Sequence, residues 1–175
     1  MTDIRKKEKL NQAYQIIDNT EYGLISMACD NHAYGIPMTI IRIGDSLYFH
    51  TGQKGKKIDF LKENPRVSIS FVGKVQTPNP FNEEQIKKLV KDPSNHGKFV
   101  NSVFTREFES VIVKGEVSLV EDEDIKVQVL SKISDKFTPD LTKYINIAID
   151  RSISITKVFK VDIEDLNLRV KKVKV

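Results

Sequence analysis

The stretch LYFHTGQKGKK, Leu47 to Lys57, brings together most of the side chains in this sequence that could do chemistry at short range. His50 is followed by Thr51 and Gly52, and then by Gly55 among three lysines, Lys54, Lys56 and Lys57. Glycines allow a backbone to come close to a ligand. A helix starting just after them offers free N–H groups and the positive end of its dipole to an anion. Lysines around that point add charge, so the chemistry available to the loop is to hold one phosphate. The spacing is neither the GxxxxGK[ST] of a nucleotide P-loop nor the GxGxxG of a dinucleotide fold. Spacing alone leaves two readings open, a phosphate cradle or a glycine turn whose lysines stay in water.

The other reactive residues give less. His50 alternates with Phe49, so it points away from the side of Leu47 and Phe49 and shares the side of Tyr48. His32 and His96 lie in polar, loop-like surroundings. No His-x-x-x-His or carboxylate–histidine spacing is present, and no metal site is expected. Cys29 ends an apolar run and reads as a small buried residue. No GxSxG surrounds a serine. The acids at 121–124 fall at a helix start, where the dipole favours them. The tail LRVKKVKV is basic but has no aromatic residues among its lysines, which disfavours binding of single-stranded nucleic acid by stacking.

The elements that must position the loop follow from periodicity. Leu10, Ala13, Tyr14 and Ile17 mark an amphipathic helix over 5–20. GLISMAC (23–29) is a buried strand, DNHAYG supplies turn residues, and IPMTIIRI (36–43) is a second strand. Gly44-Asp45 predicts a two-residue type II′ hairpin into a third strand, SLYFHT (46–51). A short helix runs from Lys56 to Asn64 and stops at Pro65. RVSISFVG (66–73) alternates as a half-buried strand. Residues 74–101 hold three of the six prolines and a small helix, NEEQIKKLV (82–90), and read as an insertion. Strand character returns over 108–120, helix over 121–137, a short helix over 141–149 and strand over 153–163. The basic tail fits an edge strand. Hairpins without βαβ alternation argue for antiparallel pairing in a small closed or partly closed barrel.

Composition sets the outer limits. The 175 residues suffice for one domain with a real core, taken as 1–175 with the insertion at 74–101. A net charge of +4 suits an anionic small ligand as well as it suits nucleic acid. One cysteine rules out an internal disulfide. No apolar run approaches the roughly 20 residues of a membrane span. The opening MTDIRKKEKL is charged where a signal peptide would be apolar, so the expected location is the cytoplasm.

Taken together, YGIPMTIIRIGDSLYFHTGQKGKKIDFLKENPRVSISFV, FTREFESVIVKGEVSLVED and ISITKVFKVDIEDL resemble the FMN-binding split-barrel family, the pyridoxamine 5'-phosphate oxidase-like proteins. Within it they look most like the nitroimidazole-resistance flavoproteins. The resemblance runs from about Glu21 to Leu166. It implies a mainly β fold, a six-stranded antiparallel split barrel of Greek-key type with peripheral helices. It implies a homodimer with FMN at the subunit interface. Pro37, Met38 and Thr39 would lie along the flavin ring, with His50, Thr51 and Gly52 beside the ring and ribityl chain. Gly55, Lys56 and Lys57 would meet the phosphate, and the partner would add residues near Phe108 to Ser110. His50 is the candidate catalytic residue. The implied activity is FMN-dependent oxidoreduction, with NAD(P)H or another donor and a small acceptor such as a nitro compound. The alternative is a flavin-binding or sensing protein without turnover. Ile40 stands where the family often has tyrosine, and Lys56 where a histidine often precedes the lysine. The insertion is long for the family and is expected to govern substrate access.

Overall fold

A computed structural model describes residues 3–173. Thirteen helices and strands, with three short 3-10 turns, follow one another in the order set by the hydrophobic pattern. Helix α1 (Asp3–Asn19) is followed by strands β1 (Gly23–Cys29), β2 (His32–Met38), β3 (Ile41–Ile43) and β4 (Ser46–Gly52). Then come α2 (Lys56–Glu63), β5 (Arg66–Gln76), α3 (Glu83–Lys91), α4 (His96–Val103) and β6 (Glu107–Leu119). Helices α5 (Glu123–Phe137) and α6 (Ile145–Ser152) precede the last strand, β7 (Thr156–Lys171).

All ladders are antiparallel, in the order β2-β1-β5-β6-β7-β4-β3. The two strands at the ends of that order are neighbours in sequence. β2 ends at Met38 and β3 begins at Ile41, so only Thr39 and Ile40 join the two edges of the sheet. Such a link spans roughly 10 Å, and the sheet has to curl round on itself. This is the split barrel expected from the sequence. Counting the bent β2–β3 segment as one strand gives the expected six; the interruption at Thr39-Ile40 gives seven.

The inward positions alternate along every strand. Ile25 and Met27, Leu47 and Phe49, Val67, Ile69 and Phe71, Val111 and Val113, and Phe159 and Val161 form the core. α1 adds Ala13, Ile16 and Ile17, and α2 adds Ile58 and Leu61. Each of these side chains other than Ala13 contributes about 1.5–3 kcal/mol by leaving water. A second, smaller cluster lies under α5, where Val129 packs with Ile41, Val120 and Val158.

Two elements differ from the sequence reading. β2 starts at His32, because Asp30 and Asn31 alone make the turn, both at positive φ. Its HAYGIPM alternates small outward residues with Tyr34, Ile36 and Met38 inward, a pattern hidden among turn-type residues. Pro37 therefore sits near the end of a strand, on the sheet edge where its missing N–H costs nothing. The basic tail is not a strand of its own. It continues β7 through a bulge near Gly115, and from Ile163 onward it has β6 on one side only among the described residues. Its last two residues lie outside the described range. The Gly44-Asp45 hairpin is as expected, with Gly44 at φ +59° and Ile43 paired with Ser46.

Candidate functional site

β4 carries the predicted loop out of the barrel. Thr51 is buried on the inner face, and Gly52 has open space where a Cβ would go. The chain then turns through Gly55, whose φ of 132° and ψ of 163° fall in a region that only glycine occupies at ease. Gly55 is the N-cap of α2, and no side chain caps the helix. Its carbonyl accepts from the amides of Ile58 (2.8 Å) and Asp59 (3.4 Å). The preceding amides, those of Lys56 and Lys57, have no intrahelical acceptor. A Cβ at Gly55 would also meet nothing within 4 Å. The loop is thus an uncapped helix start facing open space, with Lys54 and Lys56 exposed and Lys57 half-buried. These residues fit a phosphate.

The two lysines differ. The Lys56 ammonium lies 4.9 Å from the ring centre of Tyr34 and 5.4 Å from that of Phe60, and those rings are 5.4 Å apart. It leans from α2 across to β2. Nothing in the sequence reading linked Tyr34 to the loop; the signal was the period-two alternation of β2.

Pro37 and Met38 end β2, and Thr39 begins its short link to β3, the neighbour of β4. The β3–β4 ladder ends at Ile41 opposite Tyr48. Continued in register, it would set Thr39 opposite His50 and Pro37 opposite Gly52. The strands part instead, so the two predicted groups flank the split of the barrel, with the start of α2 at the end of β4.

His50 pairs with Val158 and shares the outer face of Tyr48 and Val158, both packed in the α5 cluster. Its Nδ1 is buried and has no hydrogen-bond partner among the described residues. Burial lowers its pKa below the ordinary 6.5, so the ring is neutral at neutral pH. Among the described residues no three His, Cys, Asp or Glu side chains gather to hold a metal.

Phe108 and Ser110 are not brought to this loop. Ser110 pairs with Arg169 and Thr51 with Lys157, positions twelve residues apart on β7. That is roughly 40 Å of strand. The two residues instead stand by the outward sheet face, where Val72 faces Ser110 across the ladder. A row across that face runs Pro37, Leu24, Ser70, Ile112, Asn167. Leu24 is 43% exposed and Val72 58%.

A cavity of about 660 Å³ between the end of α1 and β5–β6 takes in Glu109, between Phe108 and Ser110, but none of the loop residues. Nearby, Lys136 of α5 donates to the carbonyl of Thr20 (2.8 Å) and lies 3.5 Å from that of Ile40, tying α1 and the β2–β3 joint to α5. Burial lowers its pKa.

An antiparallel barrel split between two adjacent strands, with an uncapped helix start at the mouth, defines a class of cofactor-binding split barrels. The profile of the family described as pyridoxamine 5'-phosphate oxidase matches residues 16–169, and the chain belongs to that family. No curated protein matches the chain. Among solved structures, the FAD- and haem-binding protein of Mycobacterium smegmatis superposes with a TM-score of 0.69 at 16% identity, covering 93% of this chain and 71% of the other. A protein of Bacteroides thetaiotaomicron assigned to 5-nitroimidazole antibiotic resistance gives 0.62 at 20%, covering 93% and 87%. An FAD-binding protein of Mesorhizobium loti gives 0.56 at 20%, covering 93% and 94%. At these identities the likeness is one of fold. No helix among the described residues is long and apolar enough to cross a membrane.

Proposed function

We propose that the chain is an FMN-dependent flavoprotein that acts as a homodimer and reduces a small acceptor, with NAD(P)H as the electron donor. The observation that carries this reading is the glycine-framed, uncapped start of α2, set at the split of a barrel whose family and fold neighbours include flavin proteins. The cradle has one helix start and so suits the single phosphate of FMN. Lys57 and the amides of the first turn of α2 hold that phosphate. Lys56 adds its charge from the side of Tyr34 and Phe60. Pro37, Met38 and Thr39 on one side of the split, and His50, Thr51 and Gly52 on the other, orient the ring system. FMN, when bound, supplies the redox chemistry. His50 is neutral at pH 7, so it lies beside the site without bringing a positive charge.

The second copy follows from the distance along β7. Phe108 and Ser110 cannot reach the loop of their own chain, whereas the exposed face they share with Leu24 and Val72 suits contact with another copy. A nitro compound fits as acceptor because of the likeness to the Bacteroides protein. A flavin carrier or sensor without turnover remains the second reading, favoured by the burial of His50, the one candidate catalytic residue.

The test is direct. Purified protein should be yellow, release FMN and not FAD on denaturation, and bleach under anaerobic NADH or NADPH. Return of colour on adding a nitro compound identifies the acceptor class. Bound flavin that no nicotinamide bleaches selects the carrier or sensor. Colourless protein that also fails to take up FMN refutes both readings.

A further inference from the structure

Where the insertion returns to the barrel it lines a second cavity, away from the loop of the flavin reading. The insertion hangs from one ladder rung, Gln76 opposite Glu107. The end of β7 closes over its base. Lys171 Nζ donates to Thr105 Oγ1 at 2.6 Å, and the Val173 amide donates to Glu107 Oε1 at 2.8 Å. Between α4 and this strand end lies a cavity of about 450 Å³, within the size range of small-molecule sites.

The wall of this cavity is unusual in its chemistry. Lys98, Lys171 and Lys172 line it, and no acidic residue does. None of the three makes a salt bridge among the described residues. The adjoining cavity, which Lys171 and Lys172 also line, holds Glu107 and Glu109; the Glu107 carboxylate is engaged by Gln76 and the Val173 amide and feels the charge of Lys172. The remaining wall is apolar, with Val100 and Phe104. Phe104 is 73% exposed, yet it is held in place edge-on against Phe99, with centroids 5.7 Å apart. An aromatic side chain fixed at the mouth of a cavity lined by three lysines and no acid is complementary to an anion with an apolar body.

We propose that the cleft between α4 and the end of β7 binds a small amphiphilic anion, an aromatic or aliphatic carboxylate, sulfonate or phosphate ester. The anionic group lies among Lys98, Lys171 and Lys172, and the apolar body lies on Phe104 and Val100.

The sequence contains no tryptophan, so Phe104→Trp installs a single reporter in the cleft. The full-length variant, with whatever flavin it carries, is titrated with 8-anilinonaphthalene-1-sulfonate. Saturable quenching of the reporter by energy transfer is expected, and it should weaken as salt is raised. Adding Lys98→Glu and Lys172→Glu should weaken binding about tenfold or more at low salt. Lys98→Gln with Lys172→Gln should give a smaller loss, and melting curves check that each variant is folded. Reversing Lys9 and Lys62, which are outside the cleft, should change nothing. The neutral N-phenyl-1-naphthylamine should bind far less well. Equal binding of the neutral probe, or unchanged affinity in the folded cleft variants, overturns the proposal. A reporter that responds only after dilution below a dimer's dissociation range also overturns it, because the cleft is then an interface between copies.

Discussion

Lys56 and Lys57 are neighbours in sequence, but their settings differ. Lys57→Ala should weaken FMN binding by about 1.5 kcal/mol, roughly tenfold in Kd, through loss of a charge-assisted contact. Lys56→Ala should cost less, because that ammonium is already engaged by two aromatic faces. Equilibrium dialysis of both variants checks the order. His50 makes a pH prediction. Its folded pKa lies below the unfolded 6.5, so the unfolded chain binds the proton more readily. Its effect on stability is absent above about pH 6.5 and grows as pH falls toward the folded pKa, where the native state loses ground. Urea midpoints of the apo protein should therefore fall less steeply between pH 7.5 and 5.5 in His50→Leu than in the wild type. Gly55→Ala should cost about 1–3 kcal/mol through backbone conformation alone, since the space there is open. Gly52→Ala, without positive φ, should be close to neutral. The loop was legible because glycine and lysine mark chain direction and charge without help from tertiary structure. The Lys56–Tyr34 contact was not legible, since it depends on where β2 returns.

At the scale of elements, strands with one wet face were readable wherever apolar residues alternated strictly, as in RVSISFV. β2 was not, because alanine, glycine and proline on its outer face look like a turn. Nor was β7 as a single strand, because its period slips at the bulge near Gly115. That glycine is required: an added Cβ would lie 2.1 Å from the carbonyl oxygen of Asp162 on the neighbouring strand. Gly115→Ala should destabilise the protein on the order of 3 kcal/mol, read as a lowered urea midpoint. The insertion behaves differently. α3 starts with a capping box between Asn82 and Gln85 and buries no residue, and α3 and α4 pack on each other more than on any strand. Replacing residues 79–103 by a short Gly-Ser linker should therefore leave melting and flavin content nearly unchanged. Rates toward bulky acceptors should change, in keeping with a loop that governs access. Equal rates for every acceptor would remove that role.

For the molecule as a whole, the prediction is a dimer formed through the outward sheet face. Leu24→Lys with Val72→Glu should give a folded monomer by sedimentation, with normal circular dichroism and lost FMN. A monomer that keeps its flavin would refute the shared site. Sheet order also constrains how the protein is made. β7 is synthesised last, yet it stands between β6 and β4. Until residues 156–171 emerge, a nascent chain has two separate ladders, β2-β1-β5-β6 and β4-β3. They are joined by chain but not by hydrogen bonds. Domains commonly fold from the N-terminus as they are translated; this one has to wait, with two open sheet edges, for its final strand to fuse the halves.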